Sequence, residues 1–110
     1  MLKPGPAKKI TIYIGEDVRQ HGEALYLAVI NYLFGHGVAG ATVTKGMAGF
    51  GAAHRLHTTR ILELSEHLPV KIEFVEDQEA LDRILPALLE LVGDGIVEMQ
   101  DTTVLKGASA

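Results

Sequence analysis

The sequence predicts a small α+β domain. Three observations carry that reading: segments in which apolar and polar residues alternate with a period of two, segments with apolar residues at helical spacing, and the order of these along the chain. A chain of 110 residues closes one core and has too little interior for two. Its 47% hydrophobic and 22% charged residues are those of an ordinary globular protein.

Lys8 to Ile14 sets Ile10, Ile12 and Ile14 against Lys9, Thr11 and Tyr13, the pattern of a strand with one buried face. Gly15-Glu16-Asp17 breaks it, and from about Gly22 to Phe34 the positions Leu25, Val29, Tyr32 and Leu33 recur at helical spacing. Gly35-His36-Gly37 ends that helix, since glycine adopts the left-handed cap conformation. Gly40 to Lys45, small and β-branched, reads as a second strand. Gly46 to Arg60 is rich in glycine and cationic side chains without a regular period, which predicts a long loop emerging from that strand. Ile61 to Leu68 is ambiguous between strand and short helix. Val70 to Val75 alternates as a third strand, and Glu76-Asp77 places acids at a helix start, where the helix dipole favours them. The second helix runs from about Gln78 to Val92 with Leu81, Ile84, Leu85, Leu88 and Leu91 on one face, and Pro86 is expected to bend or break it. After the turn Gly93-Asp94-Gly95, a fourth strand begins at Ile96 and extends toward Leu105.

The order is β-α-β-β-α-β, the ferredoxin-like pattern: a four-stranded antiparallel sheet with both helices on one face. The expected organisation is a flexible lead-in over 1–7, a single domain over 8–105 and a flexible tail over 106–110. The face away from the helices takes alternate residues of the strands, several of them apolar or β-branched, so it is expected to be covered by association with further copies of the chain.

Composition removes several functions. A net charge of −4 gives no general attraction for nucleic acid. No apolar stretch reaches the roughly 20 residues of a membrane-spanning helix, and the first residues carry no signal-peptide pattern, so a cytoplasmic location is expected. The absence of cysteine removes disulfides and thiolate chemistry. No Ser/His/Asp order, P-loop or dinucleotide fingerprint is present, and no enzymatic activity is expected.

Chemistry concentrates in the loop. Gly49-Phe50-Gly51 lets backbone N–H groups approach a phosphate or a base edge, although a flexible turn uses the same residues. His54, Arg55, His57 and Arg60 form a cluster suited to a phosphate or carboxylate, or alternatively a solvated loop. Two histidines three apart, His54 and His57, with Glu66 or His67 as a third ligand, give a weaker metal pattern. Gly93-Asp94-Gly95 is explained by a helix stop and turn alone. Glu16-Asp17 and Glu76-Asp77 read as helix-start acids rather than a general acid and base, and Tyr26 and Tyr32 as core residues.

Lys8 to Ile12, Gly37 to Thr44, Gly49-Phe50-Gly51, Leu68 to Glu73 and Gly93-Asp94-Gly95 resemble the corresponding blocks of PII signal-transduction proteins. Tyr13 to Glu16, Gly40 to Val43, Gly46 to Gly51, His57-Thr58 and Leu64 to Pro69 more closely resemble the PII-like family catalogued as domain of unknown function 190. The resemblance covers roughly Lys8 to Leu105. It implies a PII-like homotrimer with an adenine nucleotide in clefts between subunits and no required cofactor. The contacts it implies are Ile12, Thr42, Gly49, Phe50, Gly51, His54, Arg55, His57, Arg60, Gly93, Asp94 and Gly95. The loop over 46–60 would report nucleotide state to a partner, a membrane transporter or channel being what such proteins usually regulate. The chain departs from PII proteins in lacking a tyrosine between Gly51 and Ile61 and in carrying Ile96 where they have a phosphate-binding cation, which favours AMP or ADP over a triphosphate. The alternative expectation is a metal-binding trimer resembling the divalent-cation tolerance proteins, with His54, His57 and His67 as ligands.

Overall fold

A computed structural model describes residues 2–49, 57–58 and 68–107. The chain runs β1 (Gly5–Gly15), β2 (Arg19–Gln20), β3 (Glu23–Ala24), α1 (Leu25–Gly35), β4 (Ala41–Lys45), β5 (Ala48–Gly49), β6 (His57–Thr58), β7 (Pro69–Glu76), α2 (Gln78–Val92) and β8 (Ile96–Val104). The four long strands form one antiparallel sheet in the order β4-β7-β1-β8. This is the expected ferredoxin-like α+β arrangement.

Alternation builds the core. Ile10, Ile12 and Ile14 of β1 and Val70, Ile72 and Phe74 of β7 face the helices. They meet Leu25, Val29 and Leu33 of α1 and Leu81, Ile84, Leu88 and Val92 of α2. Tyr26 and Tyr32 pack against this core as half-buried members, and the Tyr32 hydroxyl donates to the Ile84 carbonyl at 2.9 Å, joining the two helices. α2 starts at an N-cap supplied by Asp77, whose carboxylate accepts from the Ala80 N–H at 2.8 Å.

Several expectations change. α1 begins at Leu25 rather than Gly22, because His21 (φ 51°) and Gly22 (φ 80°) form the two-residue loop of a β2–β3 hairpin. Positive φ at both loop residues matches the right-handed strand twist and is incompatible with a helix. α2 continues through Pro86, which lies with Asp82, the residue whose carbonyl it deprives of a helical donor, on the exposed side of the helix. Gly5, Pro6 and Ala7, expected in the lead-in, belong to β1 and pair with Val104, Thr103 and Thr102. β7 has already turned into α2 there, leaving β1 a neighbour on one side only, which suits a proline without an N–H. Of the paired acids, Asp77 is a cap, but Glu76 is buried and accepts from the Ala39 N–H at 3.1 Å, and Glu16 forms an ion pair with Lys45.

The open sheet face is mixed, with ion pairs and threonines at its centre and Tyr13 beside Ile96 of β8, both exposed, toward one end. It presents Lys9, Thr11 and Tyr13 of β1, Lys71, Glu73 and Val75 of β7, and Thr42 and Thr44 of β4. Glu73 is its centre, with Lys9 at 3.2 Å, Lys71 at 3.6 Å and the Thr11 hydroxyl donating at 3.3 Å. The Lys9 ammonium, with smaller contributions from Lys71 and Thr11, holds the Glu73 carboxyl below the usual carboxylate range. Among the described residues, no helix is long and apolar enough to cross a membrane.

Candidate functional site

Four chain segments meet at one end of the sheet: the end of β1, the end of β4, the start of β7 and the start of β8. The stems of the loop are fixed there by backbone bonds. The Gly46 N–H donates to the Pro69 carbonyl at 2.7 Å, and the Glu16 N–H donates to the Leu68 carbonyl at 2.9 Å. Glu16 then reaches the other stem with its side chain, Oε2 lying 2.8 Å from Lys45 Nζ. One residue therefore holds the outgoing stem by charge and the returning stem by its backbone. At Gly46 a Cβ would come within 2.7 Å of the Pro69 ring, so glycine is required where the stems cross closely.

Beyond Gly46, β5 and β6 form a short antiparallel ribbon that sets Ala48 against Thr58 and Gly49 against His57. Two of the expected site residues are thus paired directly, and the segment read as an irregular loop has a sheet-like root. Phe50, Gly51, His54, Arg55 and Arg60, and His67 of the metal alternative, lie outside the described residues. No group of three or more metal-ligating side chains occurs among the described residues.

The remaining expected residues divide. Thr42 is exposed on edge strand β4, facing the open side of the sheet opposite Glu73. Ile12 is fully buried beneath the helices, so its side chain reaches no surface. Gly93 has φ 65° at the end of α2 and its N–H donates to the Leu89 carbonyl. Gly95 lies hard against β1: a Cβ there would stand 2.5 Å from Ile14 Cγ2 and 2.8 Å from the Tyr13 carbonyl oxygen. A positive φ accounts for Gly93 and close packing for Gly95, while Asp94 between them is exposed.

The loop root and the 93–95 turn share an end of the sheet but not an edge. β4 and β8 are its two outer strands, three strand spacings apart, about 14 Å. Within one chain the described loop root and the 93–95 turn therefore stand at opposite edges of the sheet. The Glu16–Lys45 pair was not legible in the sequence, because nothing in local spacing joins residues so far apart; its one sequence signal is a lysine immediately before the loop-root glycine.

A ferredoxin-like sheet whose second strand opens into a glycine-rooted ribbon is the framework of PII-like proteins. Residues 7–104 match the family model of domain of unknown function 190, described as uncharacterized ACR. A UPF0166 protein of Methanocaldococcus jannaschii is 37% identical over 102 residues, covering 92% of this chain and 94% of that protein. A UPF0166 protein of Aquifex aeolicus is 27% identical over 100 residues, covering 89% and 92%. The chain belongs to the domain of unknown function 190 family. Among solved structures it is similar to CPII, a nitrogen regulatory PII-like protein from Thiomonas intermedia K12, bound to ADP, AMP and bicarbonate, with TM-score 0.70, 20% identity and 94% and 92% of the two chains covered. The apo form of CPII gives TM-score 0.61 at 18% identity over 93% and 95%. At these identities the likeness establishes the PII-like fold.

Proposed function

We propose that this chain is a cytoplasmic PII-like regulatory protein that binds AMP or ADP between the subunits of a homotrimer and reports nucleotide state to a partner through residues 46–60. The observation that carries this reading is the placement of the loop root and the 93–95 turn at one end of the sheet but at opposite edges. A ligand touching both requires the β4 edge of one copy beside the β8 edge of another. All five residues of β4 are exposed, which leaves that edge free for such an approach. CPII, of the same fold, was solved with ADP and AMP, which supports adenine nucleotide as the ligand class.

The open face bears on assembly as well. Its ion pairs and threonines stand beside Tyr13, Val75 and Ile96, so subunits meeting across it would be held by polar complementarity together with apolar contact. The partner is expected to be a membrane transporter or channel.

Titration calorimetry with AMP, ADP and ATP, combined with light scattering, tests the proposal. Saturable heat with AMP or ADP and a mass near three times the 11.8 kDa chain are expected. A monomer at micromolar concentration, or no heat and no thermal shift with any of the three nucleotides, refutes it.

A further inference from the structure

A phosphate needs positive charge or N–H donors, and the 93–95 turn offers little of the former: Asp94 is acidic and Ile96 apolar. Lys71, across the ladder from Thr44, points to the open face and is engaged with Glu73. Lys45 is placed differently. It ends β4, directly precedes the loop-root Gly46 and keeps 48% of its side chain exposed, with Glu16 as its counter-ion at 2.8 Å. We infer that Lys45 is a phosphate-binding cation of the nucleotide site and that Glu16 is its exchangeable counter-ion, released when a nucleotide phosphate takes its place. The inference rests on the nucleotide-binding reading above and adds to it the residue that senses the phosphate.

The geometry favours exchange rather than a fixed tether. The stems are held by the Gly46–Pro69 and Glu16–Leu68 backbone bonds, so the lysine side chain can leave the carboxylate without loosening either. The lysine end of the pair is half in solvent and the carboxylate is partly exposed, so solvent screens the attraction and lowers the barrier to replacement. A phosphate brings more charge and more acceptor oxygens than one carboxylate, and charge-assisted bonds to it are the stronger kind. With the site empty, Glu16 keeps Lys45 neutralised. With the site filled, Glu16 is freed at the base of the loop, so phosphate occupancy changes the charge that the loop stems present.

The test compares ADP, AMP and adenosine binding by calorimetry to the full chain and to Lys45→Met, Lys45→Arg, Glu16→Gln and the double variant Glu16→Gln/Lys45→Met. Lys45→Met should weaken ADP by about tenfold or more while leaving adenosine unchanged, and Lys45→Arg should retain most of the affinity. Glu16→Gln should tighten ADP by up to about fivefold, the worth of a partly exposed pair, and this gain should vanish in the double variant. If the unmodified chain binds ADP and the variants bind it equally well, or if Lys45→Met weakens adenosine as much as ADP, the phosphate role is overturned while nucleotide binding stands. Weaker ADP binding by Glu16→Gln overturns the exchange. An unmodified chain that binds neither ADP nor AMP overturns the nucleotide reading itself and this inference with it.

Discussion

Replacing Gly95 with alanine separates packing from ligand approach as the reason for the glycine. The added Cβ would stand 2.5 Å from Ile14 Cγ2, 2.7 Å from Val92 Cγ1 and 2.8 Å from the Tyr13 carbonyl oxygen. Ile14 and Val92 are core residues, and the carbonyl belongs to a strand with neighbours on both sides, so no obstacle is the free end of a mobile side chain. Overpacking of this kind costs about 1–3 kcal/mol. Alanine recovers about 0.4–1 kcal/mol by restricting the unfolded chain, leaving a net loss of about 1–2 kcal/mol. For a domain of this size that lowers the melting temperature by about 4–8 °C. Thermal unfolding followed by circular dichroism at one fixed protein concentration measures it, since assembly makes melting concentration-dependent. Gly35→Ala is the control, because no atom lies within 4 Å of its added Cβ, and it should melt at or slightly above the parent temperature. A Gly95→Ala protein that melts with the parent would refute the packing argument. If that stable variant also lost ADP binding, the glycine would be there to admit the ligand.

Glu73 gives a pH dependence of definite sign. Its folded pKa is lowered, chiefly by Lys9, so its contribution to stability is fully present above the ordinary glutamate pKa of about 4.3 and is lost as pH falls through the lowered folded value. Urea midpoints at pH 6 and pH 3 should therefore differ more for the parent than for Glu73→Gln, and equal differences would contradict the pairing. Asp77→Ala removes the N-cap of α2 and should cost about 1 kcal/mol in urea unfolding, with Asp77→Ser recovering most of it; an unchanged midpoint for the alanine variant would rule the cap out as a stabilising contact.

Legibility in the sequence followed how local each signal was. α2 is bounded as expected because a capping aspartate, a 3.6-residue apolar stripe and a stopping glycine all lie within the helix or one residue from it. β7 alternates buried and half-buried side chains through all eight residues, and its period was equally plain. The β2–β3 hairpin was missed because two-residue strands carry no period, and His21 is not a residue that announces a positive φ. The apolar and β-branched residues of the open face are plain in the alternation, but its Lys9–Glu73–Lys71 cluster depends on the pairing of β1 with β7, which no local pattern carries. Pairing between distant residues is the hardest to read. Glu16 looked like a helix-start acid until the fold brought Lys45 to it.

The crossed stems at Gly46 and Leu68 have an evolutionary consequence. Because both are bonded to the body of the sheet, whatever lies between them is closed into a loop at the domain's expense, and the entropy of closing it rises by only about 0.6 kcal/mol for each doubling of its length. The sheet thus works as a socket into which segments of different length and chemistry can be fitted without redesigning the core. Descendants of such a domain can vary the length and sequence of residues 47–67 while the sheet and helices beneath them stay as they are.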